Sequence, residues 1–336
     1  MNDKNQNHEC INDIGGYFEL SLPKYSDPFP EMAKLQSARA ALRLVLERHQ
    51  TREIYVPAYI CDSVVAAIED AGARPIFYSL SQSLFPENIQ ANISESTLFL
   101  YVNYFGLCQH NVKKLLELIP GHHLIVDNSQ ALFAAPANCL ATIYSPRKFM
   151  GLPDGGLLHH STKNFELPAG DDTQSVVRMN HLLMRMSDTA SAGYATYTAS
   201  EQTLENTTPM EMSRLTKRIL SSVDMNHLKQ QRRKNFLHLS NQLSTYNKLE
   251  WALDENTVPL CYPLVLEGDV DPIRKLLASM HIYIPVYWRE VRNRALANTT
   301  EQRFSENCLF LPCDQRYSTG QMEKLSQEVV NHLARA

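Results

Sequence analysis

Tyr144-Ser145-Pro146-Arg147-Lys148-Phe149-Met150-Gly151-Leu152-Pro153-Asp154-Gly155-Gly156 follows, about twenty residues on, a short apolar run, Leu124-Ile125-Val126-Asp127, that ends on a carboxylate. The run has the length and aliphatic content of a buried strand. An acid at its carboxyl end falls where open α/β sheets hold their ligands. The longer stretch adds an amine at Lys148, a hydroxyl three residues before it, and glycines that let backbone approach closely. An α/β fold with a site at the strand ends is the expectation.

The same alternation continues outward. Ser37 can cap a helix to about residue 49, with Leu42, Val45 and Leu46 in its apolar stripe. Residues 54–56 read as a short strand stopped by Pro57, and Asp62 as the cap of a helix over 63–71 that Gly72 ends. Strands are expected at 75–78 and 98–102, with a helix near 111–118 before the strand that ends on Asp127. Short buried strands separated by helices predict a largely parallel sheet covered on both faces.

The segment 165–210 is polar, rich in Ser, Thr and Ala, and helical in pattern only over 176–186. Residues 212–243 read as helical, and their basic run Lys229-Gln230-Gln231-Arg232-Arg233-Lys234 as a solvated or subunit-contacting face. The rest reads as a small α/β unit. It has strands at 258–266 and 282–286, Asp271 as an N-cap before Pro272, a strand ending at Pro312, and a capping box at Ser318-Thr319-Gly320-Gln321. The expected organisation is a large domain over 1–227 and a small C-terminal α/β domain over 228–336, with no internal repeat or low-complexity tract.

Composition narrows the function. A chain of 336 residues, 44% of them hydrophobic, can bury a large core. Its formal net charge of -4, from 32 Lys+Arg against 36 Asp+Glu, leaves no excess of positive charge for a nucleic-acid backbone. The polar start, Met1-Asn2-Asp3-Lys4-Asn5, has no apolar core behind it, and no stretch approaches the ~20 apolar residues that span a bilayer. A soluble, cytoplasmic protein is expected. The seven cysteines, Cys10, Cys61, Cys108, Cys139, Cys261, Cys308 and Cys313, form no Cys-x-x-Cys pair or zinc spacing, so free thiols and no metal site are expected. The pairs His122-His123 and His159-His160 would point to opposite faces of a strand.

Taken singly, Ser37 is an ordinary helix cap and Lys148 an ordinary surface lysine. In combination with Asp127 they are what a pyridoxal 5'-phosphate (PLP) site requires. A lysine amine forms a Schiff base with the cofactor aldehyde, and an acid pairs with the protonated pyridine nitrogen. Ser37-Ala38-Arg39-Ala40-Ala41-Leu42 opens a helix with a hydroxyl and small residues, a place where backbone N–H groups can hold a phosphate.

At these residues the chain resembles the DegT/DnrJ-type sugar aminotransferases, PLP-dependent enzymes of fold type I, the aspartate-aminotransferase-like fold. The resemblance runs through Ile14-Gly15-Gly16-Tyr17-Phe18-Glu19-Leu20, Ser37-Ala38-Arg39-Ala40-Ala41-Leu42, Val56-Pro57-Ala58-Tyr59, Ala71-Gly72-Ala73-Arg74-Pro75-Ile76-Phe77 and Asn103-Tyr104-Phe105-Gly106. It is most specific in Val126-Asp127-Asn128-Ser129-Gln130-Ala131 and residues 145–156, weaker at Ser213-Arg214-Leu215, Gln231-Arg232-Arg233 and Leu311-Pro312, and loose over 165–210.

The resemblance implies Lys148 as the Schiff-base lysine, Asp127 as the pyridinium partner and Gln130 as the side chain beside the ring hydroxyl. It also implies Ser145, Ser37, Ala38 and Arg39 as the phosphate cradle, and either Tyr59 or Cys61 against the ring. The implied activity moves an amino group from an amino acid, L-glutamate by family habit, to a nucleotide-linked keto-sugar. The implied assembly is a homodimer, with the basic helix and the Gly15-Gly16 arm as candidate contacts. This chain departs from the family in having Ala38 where glycine is common and a shorter spacer between Ser145 and Lys148. The neighbouring subunit's asparagine has no evident counterpart.

Two alternatives stand beside that activity. One is a PLP enzyme of the same fold with another reaction or small substrate. Dehydrating relatives, however, replace the lysine with histidine. The other is a non-catalytic PLP-binding sensor, since fold alone does not establish activity.

Overall fold

In the computed structural model, which describes residues 14–89, 94–162, 165–205, 208–294, 296 and 299–334, the strand ending on Asp127 lies in the middle of a seven-stranded sheet. In chain order the first half comprises β1 (Ala33–Leu35), α1 (Ala38–His49), β2 (Glu53–Pro57), α2 (Asp62–Asp70), β3 (Arg74–Tyr78), β4 (Thr97–Val102), α3 (Gln109–Leu118), β5 (Leu124–Asn128), β6 (Ala141–Tyr144) and β7 (Gly156–His160). The sheet order is β1-β7-β6-β5-β4-β2-β3. All strands run parallel except β7, which is antiparallel to both its neighbours. Every residue of β4, β5 and β6 is buried. That is why β4 and most of β5 read as continuous apolar runs without alternation.

The second half adds α4 (Ser175–Ser187), α5 (Tyr194–Gln202), α6 (Arg214–Leu220), α7 (Met225–Leu243), β8 (Cys261–Val265), α8 (Asp271–Ser279), α9 (Thr300–Glu306), β9 (Cys308–Pro312) and α10 (Thr319–Leu333). Strands β8 and β9 form a separate antiparallel pair, with α7 and α10 packed on each other beside it. One apolar core runs from the large sheet through Phe236, Tyr262, Phe304 and Phe310. Residues 227 and 228 fall in the first turn of α7.

Several local expectations change. Residues 282–286 form no strand. Pro285 lacks an N–H for a ladder, and the residues that follow dock on the β2–α2 turn, where Tyr59 Oη donates to the Tyr287 carbonyl at 3.3 Å. Asp62 and Asp271 are first helical residues and not caps. Their carboxylates are drawn to Arg294 and to the pair Arg274 and Arg292.

The expected helix over 212–243 is two helices. Ser213 caps the first, and Asp224 caps the second by accepting from the backbone of Asn226 and His227. The basic run is not simply solvated. Arg232 is buried and donates to the carbonyls of Pro259, Leu260 and Phe149 at 3.0–3.3 Å. The Ser37 cap, where the hydroxyl accepts from Ala40 N at 3.0 Å, and the Ser318/Gln321 capping box are as expected.

Among the described residues no helix is long and apolar enough to cross a membrane, and no group of three His, Cys, Asp or Glu is placed to hold a metal. The six described cysteines are free thiols. Cys10 and the polar first residues lie outside the described residues.

Candidate active site

Lys148 closes a single 3-10 turn, Pro146–Lys148, that begins where β6 ends. Proline at the first position presets its backbone angle, and Lys148 N donates back to the Ser145 carbonyl at 3.2 Å. The next residue fixes the turn. Phe149 is buried, and its carbonyl accepts from Gln315 Nε2 at 2.8 Å and Arg232 Nη2 at 3.3 Å, while the Arg232 guanidinium lies 4.6 Å from the Phe149 ring centre. The loop is pinned again at Asp154, which accepts from Ser213 N at 3.0 Å and the Ser213 hydroxyl at 3.1 Å. Burial pushes the Asp154 carboxyl above its usual range, and the Thr216 and Ser213 hydrogen bonds offset only part of that.

The glycines have a geometric reason. Gly155 has φ +128 and its N–H reaches the Gln36 carbonyl at 2.6 Å, and a Cβ at Gly156 would overlap the backbone of Ser37 and Ala38. Loop 145–156 is thereby laid against the start of α1, which brings the lysine and the helix N-terminus to one place.

Asp127 faces the same place from the end of β5. It is 5% exposed, and its Oδ1 accepts from Ser129 N at 2.7 Å. Gln130 is fully buried. Its Oε1 accepts from Phe105 N at 2.8 Å, but its Nε2 has no partner. A buried donor left without an acceptor costs about 1–3 kcal/mol, so this amide fits a ligand that brings an oxygen to it. At α1 the Ser37 carbonyl accepts from Ala41 N at 3.1 Å and its hydroxyl accepts from Ala40 N. The hydroxyl proton remains available to donate, and the helix end supplies partial positive charge.

These groups share one cavity of about 570 Å³, within the usual range for small-molecule sites. Its wall includes Lys148, Asp127, Gln130, Ser145, Ser37, Ala38, Arg39 and Cys61. Of the expected site residues only Tyr59 is absent from it. Tyr59 is fully buried among Tyr104, Trp288 and Phe304, with ring centres 4.7–5.7 Å away, so between the two expected ring neighbours only Cys61 reaches the cavity. An unfilled orphan donor, an acid and an amine on the same cavity wall, a helix N-terminus and a glycine-dependent close approach together fit a pyridine-aldehyde phosphate of PLP type.

Other wall residues carry no sequence signal. His181 comes from α4, within the helix expected over 176–186, Tyr194, Tyr197 and Glu201 from α5 in the polar stretch after it, and Trp288 and Arg316 from the C-terminal unit. Glu201 pairs with Arg147, the neighbour of Lys148. Burial pulls the His181 imidazole below its usual value, and the nearby Arg147 charge adds to this. Arg178 and Asp172 form a buried ion pair at 2.8 Å that, with Arg178 Nε on Thr203 Oγ1 at 2.6 Å, ties α4 to the end of α5. Lys148 itself is exposed in the single chain.

No protein-family model matches the chain, and no curated protein matches it in sequence. Solved structures do match. The aminotransferase TlmJ from Streptoalloteichus hindustanus is similar over 91% of this chain and 86% of its own, at TM-score 0.64 and 18% identity. The PLP form of Spr1654 from Streptococcus pneumoniae, assigned as a sugar aminotransferase, matches over 89% and 86%, at TM-score 0.61 and 15% identity. DesI, solved in the presence of its TDP-sugar product, matches over 89% and 79%, at TM-score 0.62 and 14% identity. The chain has the fold of these aminotransferases, in agreement with the fold type I expectation.

Proposed function

We propose that this chain is a PLP-dependent aminotransferase that moves an amino group from an amino acid, L-glutamate, to a nucleotide-linked keto-sugar. The observation that carries it is the meeting of Lys148, Asp127 and the unpartnered Gln130 amide on the wall of one cavity. The PLP form of one similar structure and the TDP-sugar product of another support the cofactor and the acceptor class. The bound cofactor would supply the electron sink for chemistry at the amino-bearing carbon.

The side chains have separable roles. Lys148 Nζ would hold the cofactor and, once displaced by the donor, carry a proton between the substrate carbon and the cofactor carbon. Asp127 would keep the pyridine nitrogen protonated through its negative charge. Gln130 Nε2 would donate to the ring hydroxyl. Ser37, Ser145 and the first turn of α1, with Ala38 and Arg39, would hold the phosphate. Cys61 would lie beside the ring.

Water has to be excluded from an exposed Lys148. The exposed apolar residues Val176, Val177, Met186 and Tyr194 of α4 and α5 suit burial by a second copy, so a homodimer is part of the proposal.

The test is the visible absorption of the protein with PLP, for wild type and Lys148→Ala, before and after L-glutamate. A band that needs Lys148 and is converted by glutamate is the expected result. No Lys148-dependent band would overturn the cofactor assignment and the function together.

A further inference from the structure

We propose that Trp288, from the C-terminal unit, forms the wall on which the cofactor ring stacks, and that residues 287–294 clamp the β2–α2 turn to hold it there. This rests on the aminotransferase reading and adds a cofactor-contacting residue to that site. Trp288 lines the same cavity as Lys148, Asp127, Gln130 and Cys61.

The clamp is explicit. Tyr59 Oη donates to the Tyr287 carbonyl at 3.3 Å, Asp62 N donates to Glu290 Oε1 at 3.1 Å, and Arg294 Nε donates to the Ala58 carbonyl at 3.0 Å. Arg294 also pairs with Asp62 at 2.5 Å. All four contacts join the turn 58–62, which carries Cys61, to the segment around Trp288.

The indole itself is fixed. Two fully buried tyrosines meet it at steep angles: Tyr59 with ring centres 4.7 Å apart and 65° between planes, and Tyr104 at 6.1 Å and 67°. Its backbone is in the left-handed region, φ 65 and ψ 71, which bulky side chains rarely adopt and which clusters at ligand clamps. Cys61 offers the ring only a thiol, 3.1 Å from Ser63 Oγ. Tyr194 and Tyr197 also reach the cavity wall but are largely exposed on α5. A planar, protonated pyridine gains most from an indole face, through stacking and through its charge on the ring quadrupole.

The experiment measures PLP affinity and the visible circular dichroism of the Lys148-dependent band in wild type, Trp288→Leu, Trp288→Phe and the double variant Trp288→Leu/Cys61→Phe. Trp288→Leu should weaken PLP binding about tenfold and change the dichroism, Trp288→Phe should lose only about two- to threefold, and the second aromatic at position 61 should restore binding in part. If Trp288→Leu does not fold, the Phe variant still reports, because its smaller loss and altered dichroism are expected in a folded protein.

Wild-type affinity and dichroism in Trp288→Leu would overturn the proposal and leave the aminotransferase reading standing. Equal losses in Leu and Phe would also overturn it, since packing and not stacking would then explain them. No Lys148-dependent band in wild type would overturn both.

Discussion

Asp127 separates the two roles a carboxylate can have at this site. Its Oδ1 accepts from Ser129 N, a contact an asparagine oxygen can also make, while only the carboxylate carries charge. Asp127→Asn should therefore fold with unchanged thermal stability and lose about 10²–10³ in kcat, the size expected when a preorganised charge is removed. Steady-state kinetics with a thermal melt checks this, and loss of stability in parallel with activity would make Asp127 structural. Asp127 was legible because it ends a strand-like run, and Lys148 because a serine three residues before it and glycines after it fall in one short stretch of chain. Tyr59 and Cys61 stood as alternatives because the family resemblance brings both near the ring and a contiguous stretch does not say which side chain reaches the cavity. Only the turn into α2 takes Tyr59 into the aromatic core and leaves Cys61 at the cavity.

The α4–α5 pair lines the cavity, and only its first helix, expected over 176–186, was legible in sequence. The tie between its two helices rests on Arg178, whose side chain is 3% exposed, paired with Asp172, at 0%. Removing one partner of a buried pair leaves the other charge uncompensated, so Arg178→Ala should cost about 3–5 kcal/mol in chemical denaturation. A loss under about 1 kcal/mol would mean that the hairpin is held by other contacts. The segment resisted a sequence reading for a physical reason. Beyond α4, Tyr194 and Tyr197 of α5 are exposed in the single chain, so no apolar stripe faces one core and the helical period is blurred. The single helix expected over 212–243 failed at Ser213 and Asp224, two residues whose side chains satisfy orphan backbone N–H groups better than a continuous helix would.

For the molecule as a whole, burial is the largest influence on the histidines whose ionisation is displaced: His49, His110, His160 and His181 are all lowered. His49 is lowered further by His123 and His122, and His160 by His159 and His49. A lowered folded-state value means that the unfolded chain binds the proton more readily. This contribution to stability is complete above the ordinary histidine value of about 6.5 and is lost as pH falls below it. Asp314 extends the loss to lower pH: burial raises its carboxyl, but the Arg316 hydrogen bonds and the charges of Arg316 and Arg232 outweigh that and leave it below its usual range. Asp154, raised by burial, acts in the opposite sense. The thermal midpoint should fall between pH 7 and pH 5, and a flat or rising profile would contradict this balance.

The sequence by itself determined four of the seven strands of the sheet, the acid and the amine at its carboxyl edge, and the helix cap that faces them. Periodicity, strand-end placement and capping are local properties that a few consecutive residues express. Only the tertiary structure decided that Trp288 and Arg316 come from the C-terminal unit to the cavity, that Arg232 is buried against the Lys148 turn, and that α5 supplies Glu201 to Arg147. Those contacts join residues from 54 to over 200 positions apart, and at such separations their geometry depends on how the two halves of the chain pack and not on the pattern of either.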